Sequence, residues 1–174
     1  MSATTITLQK VKPTEADALL AISKRTFFDF FGPLNKPENM EAYAVTAFTP
    51  QKIQSELDNP DSEFYFALIN DQITGYLKLN FKNAQTEFQD PKAMEVERIY
   101  VSVDHHKKNI GKQLLHFALN MALQKQMDYI WLGVWEHNHN AIGFYQHNGF
   151  EVFSNHEFWM GDDRQNDLLM KKIL

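Results

Sequence analysis

The sequence predicts a mixed α/β layer fold, of the α/β or α+β kind, and three observations carry that prediction. Residues Glu63 to Phe81 alternate apolar and polar side chains on either side of Asn70–Asp71, the pattern of an antiparallel hairpin. An alternating strand from Met94 to Val101 feeds a basic turn, an amphipathic helix and the apolar run Tyr129–Val134, a strand–crossover–strand unit that makes a parallel pair. The strand-like residues FEVF and the run Leu168–Leu174 then close the chain as a terminal hairpin. At 174 residues, 44% of them apolar, one domain spanning 1–174 is expected.

Taken in order, Ile6–Val11 alternates as a strand and Pro13 closes it just before Thr14, a capping residue with Asp17 three places on. The helix that follows has Ala18, Leu19, Ile22, Phe27, Phe28 and Phe31 near helical spacing, and Gly32–Pro33 stops it. Phe27, Phe28, Phe30 and Phe31 are assigned to packing, with one edge lining a substrate site. A second helical region covers about Met40–Phe48, and a third starts at Thr49 with Pro50 in the first helical position and ends near Asn59–Pro60. Lys82–Pro91 is polar and turn-rich, hence a loop. From Gly111 to about Lys125, Leu114, Leu115, Ala118, Leu119 and Ala122 fall on one stripe. Asn140 can cap a short helix carrying Ala141, Phe144 and Tyr145, which Gly149 ends.

Composition narrows the chemistry. The chain has no cysteine, so disulfides, thiolate metal sites and a cysteine nucleophile are excluded together. A formal charge of −5 argues against a nucleic-acid surface and suits a cationic partner. The N-terminal residues MSATTITLQKVKP hold neither a signal-like apolar core nor a membrane span, so a cytoplasmic protein with no membrane partner is expected. His137 and His139 invite a metal reading, but no third ligand stands at a recognisable spacing and no metal is expected.

Two constellations carry chemistry. The first is the turn His105, His106, Lys107, Lys108, Asn109, Ile110, Gly111, Lys112 at a helix entry, where unpaired amides and the helix dipole suit a phosphate. It is not a Walker A loop, since Gln113 follows Lys112, and the glycine spacing of a dinucleotide fingerprint is absent. Taken alone, a solvated, charged helix entry explains it as well. The second runs from Asn138 through Ala141 and Tyr145 to Gly149–Phe150. In isolation Asn138 reads as a turn residue and Tyr145 as core.

Together they resemble the GNAT superfamily of N-acetyltransferases. The second constellation has every named position of that family's pattern Asn-x-x-Ala-x-x-x-Tyr followed by Gly-Phe, and the first resembles Arg/Gln-x-x-Gly-x-Gly/Ala with His106 in the first place and Asn109 in the middle one. Asn tolerates left-handed backbone, so the turn survives that change. ERIYV, WLGVWE, NAIGFY, the late MGD and the earlier PENMEAY and TGY stretches extend the resemblance over nearly the whole chain, toward the PaiA-type polyamine (spermidine/spermine) N-acetyltransferases. The resemblance implies a mixed, mostly antiparallel sheet with flanking helices, whose central strands splay to admit acetyl-CoA. It also implies that backbone groups of Ile99, Tyr100 and Val101 hold the pantetheine and acetyl carbonyl, while amides of His106, Lys107, Lys108, Asn109, Ile110, Gly111 and Lys112 hold the pyrophosphate. By the same resemblance Asn138 contacts the pantetheine arm, Tyr145 faces the sulfur, and His147 stands where relatives carry a Lys near the cofactor phosphates.

Acyl transfer from that thioester needs an amine freed of its proton, a fixed donor for the oxyanion and an acid for the departing sulfur. Tyr145 is the candidate acid. Glu95 and Glu97 share one face of an ideal strand and either is the candidate base, unless a bulge re-aims them or Glu97 is held in an ion pair. The expected partner is a small-molecule amine, a polyamine first, with a homodimer allowed. Other amines (a peptide N-terminus, lysine, an amino sugar) and a non-catalytic acetyl-CoA-binding regulator are the alternatives.

Overall fold

The computed structural model describes residues 5–174. Strand β1 (Thr7–Lys10) leads through a 3-10 turn at Pro13–Glu15 into α1 (Ala16–Phe31), followed by α2 (Pro37–Ala47) and α3 (Pro50–Leu57). Then come β2 (Ser62–Ile69), β3 (Gln72–Phe81), β4 (Ala93–Val101), α4 (Ile110–Gln124), β5 (Tyr129–Trp135), α5 (His139–His147), β6 (Glu151–Met160) and β7 (Asp163–Ile173). The strands form one seven-stranded sheet in the order β1-β2-β3-β4-β5-β7-β6, antiparallel throughout except where β4 meets β5.

Local chemistry accounts for most of these elements. Asn70 and Asp71 take φ of 49° and 62°, which lets a two-residue turn join β2 to β3. The Thr49 hydroxyl accepts from the Lys52 amide at 3.1 Å and caps α3, with Pro50 inside the first turn. Three expectations need correction. The cap at the first helix is not Thr14; the Glu15 carboxylate instead accepts from the Lys12 amide at 2.8 Å. Asn138, not Asn140, caps α5, its side-chain oxygen accepting from the Ala141 amide at 3.1 Å. Helix α2 begins at Pro37 rather than Met40, since a proline in the first turn needs no amide partner.

Helices cover both faces of the sheet. On one face Leu114, Leu115, Ala118 and Ala122 of α4 pack with Tyr145 of α5 against Leu77, Leu79, Met94 and Ile130. Full burial of each such large apolar side chain contributes about 1.5–3 kcal/mol. On the other face Leu19 and Ile22 of α1 and Ile53 of α3 pack on Phe64, Phe66 and Tyr76. Toward the C-terminal end of α1, Phe27 and Phe31 join Met40 and Met160 and leave an aromatic surface beside Trp135 and Phe158.

The central strands splay as expected. Their parallel ladder pairs Ala93 with Tyr129, Met94 with Ile130 and Glu95 with Trp131, and then stops, although β4 runs on to Val101 and β5 to Trp135. On its other edge β4 stays paired to β3 up to Gly75↔Val101. That edge is tight: a Cβ on Gly75 would lie 2.5 Å from the Tyr100 carbonyl oxygen. Gly75→Ala is therefore expected to destabilise by about 1–3 kcal/mol, read as a lower thermal unfolding midpoint. An unchanged midpoint would contradict the packing described for this edge.

The pairing of β3 with β4 also shifts between Lys78 and Leu79, with Lys78 opposite Arg98 but Leu79 opposite Val96. Glu97 is the extra residue of a bulge, and the alternation of β4 reverses across it. Val96 before the bulge and Ile99 and Val101 after it face α4, whereas Glu95, Glu97 and Arg98 all face the α1–α3 side.

Candidate active site

The splay opens a cleft of about 1120 Å³ that passes from the N-terminus of α4, between β4 and β5, to the aromatic surface under α1 and α2. Its walls bring together Glu95, Glu97, Ile99, Tyr100, Val101, His106, Lys107, Asn109, Ile110, Gly111, Lys112, Asn138 and Tyr145. Lys108 and His147 are exposed and do not line it.

At one end the backbone is shaped for an anion. Asn109 takes the left-handed conformation, φ 61°, that its sequence position calls for, and Lys107 does the same at 64°. The first hydrogen bond of α4 runs from the Gln113 amide to the Asn109 carbonyl at 3.0 Å, so the amides of Ile110, Gly111 and Lys112 lead the helix without an intrahelical acceptor. His106 plays a different part. Its amide donates to the Val103 carbonyl at 3.2 Å and its ring nitrogen Nε2 lies 2.9 Å from the Val101 carbonyl, so this histidine ties the turn to the end of β4. Asn138 lines the cleft, and its Oδ1 is held in the α5 cap.

Beyond the bulge lies a connected polar network. Arg98 makes paired bonds to Glu56 at 2.8 and 2.9 Å, and Lys78 Nζ lies 2.5 Å from Glu97 and 3.4 Å from Glu56. Asn80 Nδ2 donates to both Glu97, at 2.6 Å, and Glu95, at 3.0 Å. Glu95 also accepts from the Thr86 amide at 2.8 Å and the Thr86 hydroxyl at 2.5 Å. Lys52 adds a third cation, 3.7 Å from Glu56, so the cations Lys52, Lys78 and Arg98 all pair with Glu56 or Glu97, while Glu95 is held by neutral donors alone among the described residues.

The two glutamates titrate in opposite directions. Burial pushes the Glu95 carboxyl above its ordinary value, against the bonds from Thr86 and Asn80. Burial pushes Glu97 up as well, but the adjacent Arg98 and Lys78 outweigh it and hold it below 4.5. The stability Glu97 contributes is therefore fully present above its unfolded value and is lost as the pH falls through the folded one. Glu97→Gln is expected to flatten the acid limb of a circular-dichroism unfolding profile below about pH 4.5. An acid limb identical to wild type would show that the Lys78–Arg98 pairing does not hold the carboxylate.

Tyr145 enters the cleft from α5. It is buried, its ring packs 5.8 Å from Phe150, and its hydroxyl makes no hydrogen bond among the described residues. Burial raises the phenol above its ordinary value of 10.0, so it is protonated at neutral pH.

Comparison with known proteins agrees with this geometry. The model of the Acetyltransferase (GNAT) family matches residues 19–150. An uncharacterized N-acetyltransferase of Lactobacillus delbrueckii subsp. lactis, from the pepI 3′ region, is 40% identical over 98% of this chain and 99% of its own. The chain belongs to the GNAT acetyltransferase family. A spermidine N(1)-acetyltransferase of Thermoplasma acidophilum is 22% identical over 84% of this chain and 89% of its own. The solved PaiA N-acetyltransferase of the same organism, in complex with coenzyme A, has the same fold, with a TM-score of 0.79 at 21% identity over 98% of this chain and 99% of that one.

As a GNAT N-acetyltransferase the chain is an enzyme, and several residues in its cleft escaped the sequence reading. Thr86 fixes Glu95 together with Asn80, which is buried behind the cleft, and Tyr43, Phe48 and Phe158 complete the aromatic wall beside Trp135. Glu87 pairs with His156, and Asp167 on β7 faces the same space. The stretch Asn155–Asp167 held a signal: charged residues on both sides of the apolar Phe158–Met160 within strand-like sequence. No group of three or more His, Asp or Glu side chains that could hold a metal occurs among the described residues, and no helix there is long and apolar enough to cross a membrane.

Proposed function

We propose that this enzyme transfers the acetyl group of acetyl-CoA to a primary amine of a small polyamine such as spermidine or spermine. The observation that carries the reading is a cleft running through the sheet at its splay, with unengaged helix-entry amides at one end and carboxylates among aromatic rings at the other. The residues present fit the cosubstrate: an anion site at a helix N-terminus, and a strand whose outer edge is unpaired beyond Glu95.

In this reading the amides of Lys107, Asn109, Ile110, Gly111 and Lys112 hold the pyrophosphate, the backbone of Ile99, Tyr100 and Val101 holds the pantetheine and acetyl carbonyl, and Asn138 meets the pantetheine arm. Acetyl-CoA supplies an acetyl group activated as a thioester. Glu95, the more basic of the two glutamates, takes the ammonium proton directly or through water. Glu97 stays paired and holds Asn80 in place. The Tyr145 hydroxyl, protonated and free of protein partners, donates to the departing sulfur.

The reading is supported by the acidic, aromatic acceptor end, which suits a flexible cation with methylene segments. The spermidine N(1)-acetyltransferase relative points the same way. A panel of acceptors at matched concentration tests it, with thiol release as readout. Spermidine and spermine are expected to give the highest kcat/KM. A higher value for a peptide N-terminus, lysine or glucosamine would reassign the acceptor.

A further inference from the structure

Most charged side chains facing the acceptor end of the cleft already have partners. Glu97 lies between Lys78 and Arg98, Glu95 accepts from Thr86 and Asn80, Arg98 is bound to Glu56, and Glu87 pairs with His156. Asp167 differs. It stands on β7 opposite Trp135 of β5 and His156 of β6, lines the cleft, and accepts no hydrogen bond among the described residues. Burial, with Glu87 and Glu136 nearby and only His156 opposing them, pushes its carboxyl up to about 6. A half-buried carboxylate with no donor is costly, and a cation arriving beside it offsets that cost.

The surroundings define which cation fits. Gly133 sits on the neighbouring strand, and a Cβ there would come 3.5 Å from Asp167 Oδ2, so the missing side chain keeps the carboxylate open toward the splay. Across the space, Tyr43 stacks on Phe27 with centroids 4.9 Å apart, and Phe31 lies 5.9 Å from Trp135. The Trp135 indole nitrogen is buried without a partner among the described residues. An aromatic wall beside the Asp167 carboxylate favours an alkylammonium and disfavours an anionic or sugar-like group.

We infer that Asp167 is a specificity-determining residue that binds a second ammonium of the acceptor, distal to the nitrogen that is acetylated. The acceptor class is then a di- or polyamine whose methylene chain lies along the aromatic wall. The inference deepens the function proposed above and rests on it only for the acetylated end.

Two measurements on wild type, Asp167→Asn and Asp167→Glu test it. The first is the ratio of kcat/KM for an α,ω-diaminoalkane to that for the n-alkylamine of equal chain length. Wild type is expected to favour the diamine mainly through KM, Asp167→Asn to shrink that ratio by about tenfold, and Asp167→Glu to restore part of it. The second is calorimetric binding of the diamine, which needs no turnover and is expected to weaken by a similar factor in Asp167→Asn. Turnover with an unchanged ratio and unchanged binding would overturn the role of Asp167. Binding that depends on Asp167 without turnover of any amine would uphold it and overturn the proposed transfer reaction.

Discussion

Tyr145→Phe is expected to lower kcat by about 10²–10³-fold, the range of a lost general acid, while acetyl-CoA binding and the thermal midpoint stay near wild type. The two halves of that expectation come from one geometry. The hydroxyl has no hydrogen bond to lose among the described residues, and the ring that packs beside Phe150 is kept in the variant. An interaction made only as the sulfur departs appears in kcat and kcat/KM together rather than in binding. Single-turnover thiol release together with calorimetric titration of acetyl-CoA measures both. Full turnover by the variant would move the acid role to another group or to water.

Glu95→Gln is the second large effect, with an expected fall in kcat of about 10²-fold or more at neutral pH. Its counterpart Glu97→Gln is expected to act on stability instead, because Glu97 neutralises Lys78 and Arg98 within a network that reaches α3. The contrast follows from the surroundings: burial raises the Glu95 carboxyl, which forms no ion pair with a cation among the described residues, whereas Arg98 and Lys78 hold that of Glu97 down. Steady-state pH profiles of the two variants separate the roles. Loss of the acidic limb in Glu95→Gln, with that limb kept in Glu97→Gln, is the expected pattern. The reverse would make Glu97 the base.

The bulge explains why the sequence could not choose between them. Two residues apart on an ideal strand, Glu95 and Glu97 are equivalent, and nothing in AMEVERIYV signals the extra residue that places Glu97 and Arg98 on one face. Features set by local chemistry were legible: Asn70–Asp71 at a hairpin turn, Thr49–Pro50 at a helix start, and Asn109 in left-handed backbone before α4. The halves of the motif that bracket the splay, Asn109–Gly111 and Asn138–Tyr145, were legible through the resemblance to the GNAT pattern, since local chemistry alone reads them as a charged helix entry, a turn residue and a core residue.

What stayed hidden depended on distant pairing. FEVF and Leu168–Leu174 are only the ends of the final hairpin, whose middle mixes polar residues with Phe158, Trp159 and Met160 because β6 lies at the sheet edge, exposed along most of its length. Charged residues there serve solvent on one side and the cleft on the other, so no alternation of apolar and polar survives. Asp167 was missed in consequence. His106 was assigned by pattern to the phosphates, yet its ring and amide both bond within the turn, a use that only the fold of residues 101–106 reveals.

Thiol release after spermidine is mixed with enzyme preloaded with acetyl-CoA tests most directly whether this cleft carries out the proposed acetyl transfer to a polyamine. The expected result is CoA release that requires both components, saturates with spermidine and yields N-acetylspermidine in equal amount. Tight acetyl-CoA binding without any spermidine-dependent release would contradict it.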